Sequence, residues 1–260
     1  MLTTKEIKYH TTNLDFIDNG KILIYKYIDI IGAFKLIEKQ TFKFSNPREF
    51  NDPFDLYEKL IDFSKTGSRP PDMMTRKEKR RVDTASDKVK IRTLSHEWRK
   101  LRNNYGISCF SKTYKDILMW SHYADKHTGI CIGFYIDAMK LLDDGFLTIA
   151  VEYKDNFIPM PYSDLDMKVR LNSILQYLSL KASFWTYEEE IRIINFDYFL
   201  NFKDNFLDFS KYAEIKEVHF GLKTSEKNKS LIKKNLASIK IKPRFYNMEP
   251  LRNKFEIERE

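Results

Sequence analysis

The amino-acid sequence predicts a single α+β domain, residues 1–260, with a mixed or antiparallel β-sheet flanked by helices. The strand-like segments are short, they alternate irregularly with helical segments, and no internal repeat relates them. A regular alternation of strands and helices would instead favour a doubly wound parallel sheet. The chain is 42% hydrophobic and 15% aromatic, so its 260 residues can bury a substantial core.

The first predicted elements are a strand, a helix and a second strand. Residues 22–27 (ILIYKY) are β-branched and aromatic, which is typical of a strand. Apolar residues recur at helical spacing over 29–40, and residues 41–45 (TFKFS) alternate as a strand does. Pro47 and Pro53, with Asn and Asp residues beside them, predict a structured turn after this strand.

The remaining elements follow a segment at 65–104 that is predicted to be an insertion. Strands are predicted at 106–110, 130–136, 148–153, 189–196, 215–221 and 239–245. Helices are predicted from a Ser111 cap to about Lys126, over 164–183, and from a Ser225 cap to about Ser238. Within 130–136 the even-numbered residues are bulky and apolar, so they should face the core, opposite Cys131, Gly133 and Tyr135.

The positive charge is concentrated in the predicted insertion. Residues 65–104 hold thirteen Lys or Arg and five acidic residues, and this difference equals the net charge of +8 of the whole chain. Such a basic helical block favours a polyanion as partner, and nucleic acid is the first expectation. Its alternative is a solvated helical face. The residues expected to contact nucleic acid are Arg76, Lys77, Lys79, Arg80 and Arg81.

A carboxylate-rich segment, WTYEEEIR at 185–192, is the sharpest candidate for chemistry. In a strand, Glu188, Glu190 and Arg192 would project from one face at intervals of roughly 6.6–6.8 Å. Two carboxylates beside a guanidinium form a set that can move protons or stabilise a developing cation. The alternative is an exposed ladder of surface salt bridges.

Two further segments can bind a ligand. In MWSHYADKHTG at 119–129, the spacing of His122 and His127 is poor for two metal ligands on one helix face, so no metal site is expected. His122 is instead expected to donate a hydrogen bond to a backbone or substrate oxygen. The tyrosines and lysine of YKY at 25–27, with Asn51 in the turn after Phe50, suit a nucleotide, by stacking and phosphate contact. Neither a P-loop nor a dinucleotide-binding glycine motif occurs.

In order along the chain, these segments resemble a bacterial protein family catalogued as domain of unknown function 2971. The matching segments are YKY at 25–27, FSNPREFNDPFD at 44–55, CFS at 109–111, MWSHYADKHTG at 119–129, WTYEEEIR at 185–192 and VHFG at 218–221. The resemblance spans about Ile22 to Phe245 and leaves 65–104 in a variable region.

The family resembles proteins of bacterial antiphage defence and toxin systems, and its layout is distantly similar to ADP-ribosyltransferases. That second similarity implies a split sheet, NAD as substrate, and Glu190 or Glu188 as the catalytic carboxylate, with Arg192 beside it. The residues expected to line the NAD pocket are Tyr25, Lys26, Tyr27, Ser45, Asn51, Trp120, His122 and Tyr123. The acceptor would be RNA, DNA or a protein associated with them, and an antitoxin or other defence protein is a further expected partner.

Two other functions fit the same residues. A nuclease would bind Mg²⁺ through Asp52, Asp55, Glu188 and Glu190. A non-catalytic sensor or partner-binding module would use Glu188, Glu190 and Arg192 as a structural ion-pair network. For all three functions we expect a cytoplasmic protein without membrane contact, because no secretory signal and no long uncharged segment is visible.

Overall fold

The computed structural model describes residues 14, 17, 20–63, 87–162, 167–195 and 205–260. The chain divides into two compact units. Unit 1 comprises Met1–Ser45, Gly106–Ala150 and Phe184–Glu260, and unit 2 comprises Asn46–Tyr105 and Val151–Ser183. The segment 65–104 falls within Asn46–Tyr105, the first of the two stretches that form unit 2.

The described elements are numbered in chain order. The strands are β1 (Lys21–Ile28), β2 (Thr41–Lys43), β3 (Ile61–Asp62), β4 (Gly106–Ser111), β5 (Ile130–Asp137), β6 (Phe146–Ala150), β7 (Glu152–Lys154), β8 (Met160–Pro161), β9 (Leu180–Ala182), β10 (Glu190–Asn195), β11 (Phe206–Asp208), β12 (Ala213–Phe220), β13 (Arg244–Pro250) and β14 (Ile257–Arg259). The helices are α1 (Ile30–Lys39), α2 (Asp87–Asn103), α3 (Ile117–Tyr123), α4 (Ala138–Asp143), α5 (Met167–Ser179) and α6 (Glu226–Ser238).

Unit 1 is built on an eight-stranded sheet in the order β14-β13-β12-β5-β1-β4-β10-β6. Its neighbouring strands are antiparallel except for the parallel pair β12 and β13. The sheet is thus mixed and helices flank it, which confirms the α+β class. A second, two-stranded sheet joins β2 and β11.

The two faces of this sheet bury different side chains. One face is packed with aliphatic and phenylalanine residues, including the even-numbered residues of β5, and α1, α4 and α6 cover it with Leu36, Leu141 and Leu236. The other face, which we call the site face, carries Tyr25, Tyr27 and Cys131 under α3 and the C-terminal strands. The period-2 alternation predicted for β5 is therefore confirmed.

Local capping explains where the helices begin. Asp29 caps α1 by accepting a hydrogen bond from the Gly32 amide at 2.8 Å, and Ser225 caps α6 as its position predicts. The predicted Ser111 cap is wrong, because Ser111 ends β4 and Asp116 caps α3 through the amides of Leu118 and Met119. Helix α3 consequently begins five residues later than expected.

Unit 2 has its own aromatic core. Trp98 of α2 packs edge-on against Tyr162 and Tyr177, with ring centroids 5.6 and 4.8 Å apart. The small parallel pairs β3 with β8 and β7 with β9 complete this unit. The described part of the basic segment is therefore anchored through Trp98 to residues that lie far along the chain. No helix in the described ranges is long and apolar enough to cross a membrane.

Candidate functional site

A row of directly paired residues crosses the site face of unit 1. Ser111 in β4 is the cross-strand partner of both Glu190 in β10 and Tyr25 in β1. Tyr25 also pairs with Gly133 in β5, and Gly133 pairs with Glu217 in β12. Directly paired residues share a face of a sheet. We call this set the carboxylate row, because it has a glutamate at each end, four inter-strand steps or about 19 Å apart.

At one end of the row, Glu190 forms a two-point ion pair with Arg192. The Nε and Nη2 atoms of Arg192 donate to the two carboxylate oxygens at 2.9 and 3.0 Å. Arg192 is 0% exposed and Glu190 is 4% exposed. The two residues share a face as the spacing predicted, but the alternative of an exposed salt-bridge ladder is wrong. This fork geometry holds both ions with strong, charge-assisted hydrogen bonds.

Glu188 does not belong to the strand, so the predicted three-residue ladder is wrong in this part. It ends a 3₁₀ helix at Ser183–Glu188, and Glu189 follows with a left-handed φ of 42° before β10 starts. A left-handed residue breaks the two-residue alternation of a strand. The buried Glu188 carboxylate instead accepts a hydrogen bond from the Tyr123 hydroxyl at 2.6 Å, which links the segment before β10 to α3.

Tyr27, two residues after Tyr25 in β1, extends the site face beyond the carboxylate row. Tyr27 packs edge-on against Trp120, with centroids 5.2 Å apart, and its hydroxyl donates to the Thr113 carbonyl at 3.0 Å. Burial raises the pKa of the Tyr27 phenol. Trp120 is 0% exposed and donates through Nε1 to the Tyr114 carbonyl at 2.8 Å. Trp120 is thus a core residue that supports Tyr27.

Lys26 lies on the opposite face of β1 from its two tyrosine neighbours. Its ammonium donates to the Cys109 carbonyl at 2.7 Å and lies 4.8 Å from the centroid of the Phe110 ring. Desolvation lowers the pKa of this lysine. Because side chains alternate along a strand, YKY at 25–27 cannot present all three residues to one ligand.

The other residues expected to bind NAD are scattered. Ser45 follows β2 and forms a backbone bridge with Ile107, four residues or about 13 Å along β4 from Ser111. His122 is exposed on α3, beside the rings of Tyr123 and Tyr187. Asn51 is exposed in unit 2. The serine beside Tyr25 on the site face is therefore Ser111.

At the far end of the row, Glu217 is a hydrogen-bond hub. Its Oε2 atom accepts from the Tyr25 hydroxyl at 3.3 Å, from His219 Nε2 at 3.1 Å and from Arg259 Nη1 at 3.1 Å. Gly133 lies between Tyr25 and Glu217, since a Cβ there would come within 3.0 Å of the Tyr25 ring and 3.2 Å of the Glu217 Cβ. The missing side chain leaves room for the phenol to cross β5.

Aromatic rings surround this hub. The His219 ring stacks on Tyr114 at 4.3 Å and on Tyr246 at 5.0 Å, and the Arg259 guanidinium lies within 5.0 Å of both tyrosine centroids. Burial lowers the pKa of His219 to about 4, although Glu217 opposes this shift. The imidazole is therefore neutral at pH 7, and its Nδ1 atom is buried with no hydrogen-bond partner.

A left-handed turn follows α3. Asp125, Lys126 and His127 have consecutive positive φ angles of 45°, 54° and 72°. Non-glycine residues adopt this conformation at a cost, and such strain tends to persist at functional sites. His127 is held by a 3.1 Å contact between Nε2 and the Ser121 hydroxyl, and a Cβ at Gly221 would strike its carbonyl at 2.3 Å. The turn therefore requires the glycine at position 221, directly after β12.

The remaining predicted sites are the nucleic-acid contacts of the basic segment and the magnesium ligands of a nuclease. Arg76, Lys77, Lys79, Arg80 and Arg81 lie outside the described residues. Within the described ranges, no three His, Cys, Asp or Glu side chains are grouped to hold a metal ion. Those ranges include Asp52, Asp55, Glu188 and Glu190, so the magnesium nuclease gains no support from them.

Sequence reasoning missed Glu217, His219 and Arg259. The first two occupy alternate positions in a strand that was predicted, and that spacing places them on one face. The period-2 spacing of a carboxylate and an imidazole is the signal that could have found them. Arg259 carried no such signal, because only the pairing of β14 with β13 brings it to the hub.

The comparisons with known proteins agree with one prediction. Residues 119–193 match the model of a family described as protein of unknown function (DUF2971). The matched stretch contains α3 from Met119 onward, the left-handed turn, β5 and the Glu190–Arg192 pair. No curated protein and no solved structure matches the chain.

Proposed function

We propose that this chain, a member of the DUF2971 family by its residues 119–193, is an enzyme that cleaves NAD and transfers ADP-ribose. The observation that carries the proposal is the carboxylate row, in which a tyrosine, a serine and a glutamate lie on three adjacent strands and one face. This is the order of functional strands that the resemblance to ADP-ribosyltransferases implies, with Ser111 in place of the expected Ser45.

The reaction needs a carboxylate in a dry environment. Nicotinamide leaves with the electron pair of the C1′–N bond, positive charge develops on the ribose, and the acceptor nucleophile bonds to C1′ and loses its proton. A fixed negative charge stabilises that transition state more than the ground state. Glu190 is suited to this role because Arg192 favours its ionised form and water is largely excluded.

The neighbouring residues have supporting roles in this proposal. Arg192 is a positioning residue, because two of its N–H donors hold the two carboxylate oxygens of Glu190. Glu188, tied to the partly exposed Tyr123, is the second candidate carboxylate. The acceptor is a nucleic acid or a protein bound to it, and the setting is a toxin or effector of antiphage defence. These assignments rest on the resemblance and on the basic character of the chain.

The test measures nicotinamide release from NAD carrying a label on its adenylate, with purified full-length chain and cell extract. The wild-type chain should release nicotinamide and transfer label to macromolecules, and Glu190→Gln should lower the rate by about 10²–10³-fold. Retained turnover in both Glu190→Gln and Glu188→Gln would overturn the assignment.

A second variant guards against loss of folding. Glu190→Gln alone leaves the Arg192 guanidinium buried without its counter-ion, which is strongly destabilising. Glu190→Gln combined with Arg192→Met removes both charges and should retain the thermal transition while remaining inactive. A folded and active double variant would exclude Glu190 from catalysis. Label on RNA or DNA, on protein, or on neither separates the acceptor classes.

A further inference from the structure

A lysine-rich surface in unit 1 has no role in the proposed chemistry. Residues 223–244 contain eight cations and a single acidic residue, Glu226. The cations are Lys223, Lys227, Lys229, Lys233, Lys234, Lys240, Lys242 and Arg244. We call them the lysine surface. Acidic residues elsewhere offset this excess, so the overall net charge does not reveal it.

These cations are exposed and mostly uncompensated. All but Lys229 are exposed. Lys229 pairs with Glu226 at 2.7 Å, whereas the other seven form no ion pair with any residue of the described ranges. A solvated face of a stable helix usually interleaves both signs of charge, which supports the helix through pairs one turn apart. The lysine surface lacks this pattern.

One of these lysines is placed unfavourably for the helix itself. Lys227 is the second residue of α6 and, unlike Lys229, has no ion pair there with any described residue. The helix dipole makes positive charge unfavourable at this end and negative charge favourable. The charge placement therefore opposes local stability, and an external anion is the simplest reason for it.

The fold holds this surface in a fixed orientation. Ile232 and Leu236 bury one side of α6 in the core, so the lysines project outward. The Lys233 ammonium lies 5.6 Å from the Phe220 centroid and 5.4 Å from the Phe245 centroid. Packing on aromatic rings limits the motion of the lysine side chain, which lowers the entropic cost of binding an anion.

The surface borders a cleft that can receive part of a ligand. The cleft has a volume of about 450 Å³ and is lined by Gln40, Ser210, Lys216, Lys242 and Arg244, among others. Lys216 is paired with Glu214, so Lys242 and Arg244 are its two uncompensated cations. The volume lies in the range of small-molecule sites and suits a single nucleotide.

We propose that the lysine surface and this cleft bind the phosphate backbone of a nucleic acid. A membrane surface is a poorer fit, because interfacial helices need a broad apolar face. The exposed large apolar residues of 222–244 are Leu222 and Leu231, at 37% and 39% exposure. The proposal deepens the proposed function by locating acceptor contacts in unit 1, but binding itself requires no NAD.

The experiment compares two triple variants that lose the same charge. Lys227, Lys234 and Lys242, which are exposed and unpaired, are replaced by Gln in one. In the control, Gln replaces three other exposed cations of unit 1: Lys140, Arg252 and Lys254. Fluorescence anisotropy measures binding of labelled single-stranded RNA and DNA of about 20 nucleotides, longer than a typical binding site, over about 0.05–0.3 M KCl.

We expect the lysine-surface variant to bind about tenfold or more weakly near 0.15 M salt. The slope of log affinity against log salt should fall by about 2, which corresponds to three lost phosphate contacts. The control should retain the wild-type slope. Equal affinities and slopes for the two triple variants would overturn the proposal. A lysine-surface variant that loses binding to anionic vesicles but binds RNA and DNA as the wild-type chain does would also overturn it.

A third variant tests the basic residues between positions 76 and 81, which lie outside the described ranges. A variant with Arg76→Gln, Lys77→Gln, Lys79→Gln, Arg80→Gln and Arg81→Gln tests whether those cations account for all nucleic-acid binding. If they do and the lysine-surface variant binds normally, the proposal fails. The two proposals can also be separated. If the chain turns over no NAD but binds nucleic acid through the lysine surface in a salt-sensitive way, the proposed enzyme activity is rejected and the nucleic-acid site is retained.

Discussion

The two ends of the carboxylate row hold their glutamates in opposite ways. Glu190 forms a two-point ion pair with Arg192 of the same strand, and both are buried near one edge of the sheet. Glu217 has three donors from three strands, and one of them, Arg259, has a side chain that is 34% exposed. The first is a closed pair and the second an open hub.

This difference teaches which end should respond to solution conditions. A buried pair with no exposed member is little affected by salt, but removal of one ion leaves a bare charge in a low dielectric. A hub with a partly exposed guanidinium and a neutral, buried histidine should lose stability both at high salt and in acid. The following predictions test this contrast, in order of decreasing effect.

The largest effect is expected from breaking the closed pair. Arg192→Met leaves the Glu190 carboxylate buried without a counter-ion and should lower the free energy of unfolding by about 3–5 kcal/mol. Adding Glu190→Gln should recover most of that loss, because no bare charge remains. Urea denaturation of the single and double variants measures both values. A double variant no more stable than Arg192→Met would show that the pair is not the closed unit described above.

Acid should weaken the hub through His219. Its folded pKa of about 4 lies below its ordinary value of 6.5. Between those values the unfolded chain binds more protons, so this group makes stability fall as pH drops from about 6.5 to 4, by up to about 3 kcal/mol. Above pH 6.5 it contributes no pH dependence. His219→Gln should flatten the stability curve over that window, and parallel curves for wild type and variant would contradict the neutral histidine.

The smallest effect is expected at the exposed rim. Arg259→Gln removes a partly screened ion pair and the stacking on Tyr114 and Tyr246, and should cost about 1 kcal/mol. The difference in melting temperature from wild type should shrink at high salt, whereas that of Arg192→Met should not. Arg259→Lys is the matched control, since it keeps the charge and loses the planar contacts. A salt-independent loss for Arg259→Gln would place this arginine among the buried groups.

Much of the fold follows from local patterns. The alternation in β5 and the Ser225 cap depend on residues within a few positions of one another, and these predictions are confirmed. Strand β1 extends one residue beyond each end of the predicted 22–27. The left-handed Glu189 and the Asp116 cap were missed, because a single residue in an unusual conformation moves the start of an element without changing the hydrophobic period.

By itself, the sequence determined the α+β class, the shared face of Glu190 and Arg192 and the resemblance to the DUF2971 family whose model matches residues 119–193. Tertiary structure alone decided that Ser111, and not Ser45, lies beside Tyr25, and that Tyr25 meets Glu217 across 192 positions of chain. The physical reason is strand register. The neighbour of a β-residue is set by the pairing of whole strands around a shared core, and no local propensity encodes it.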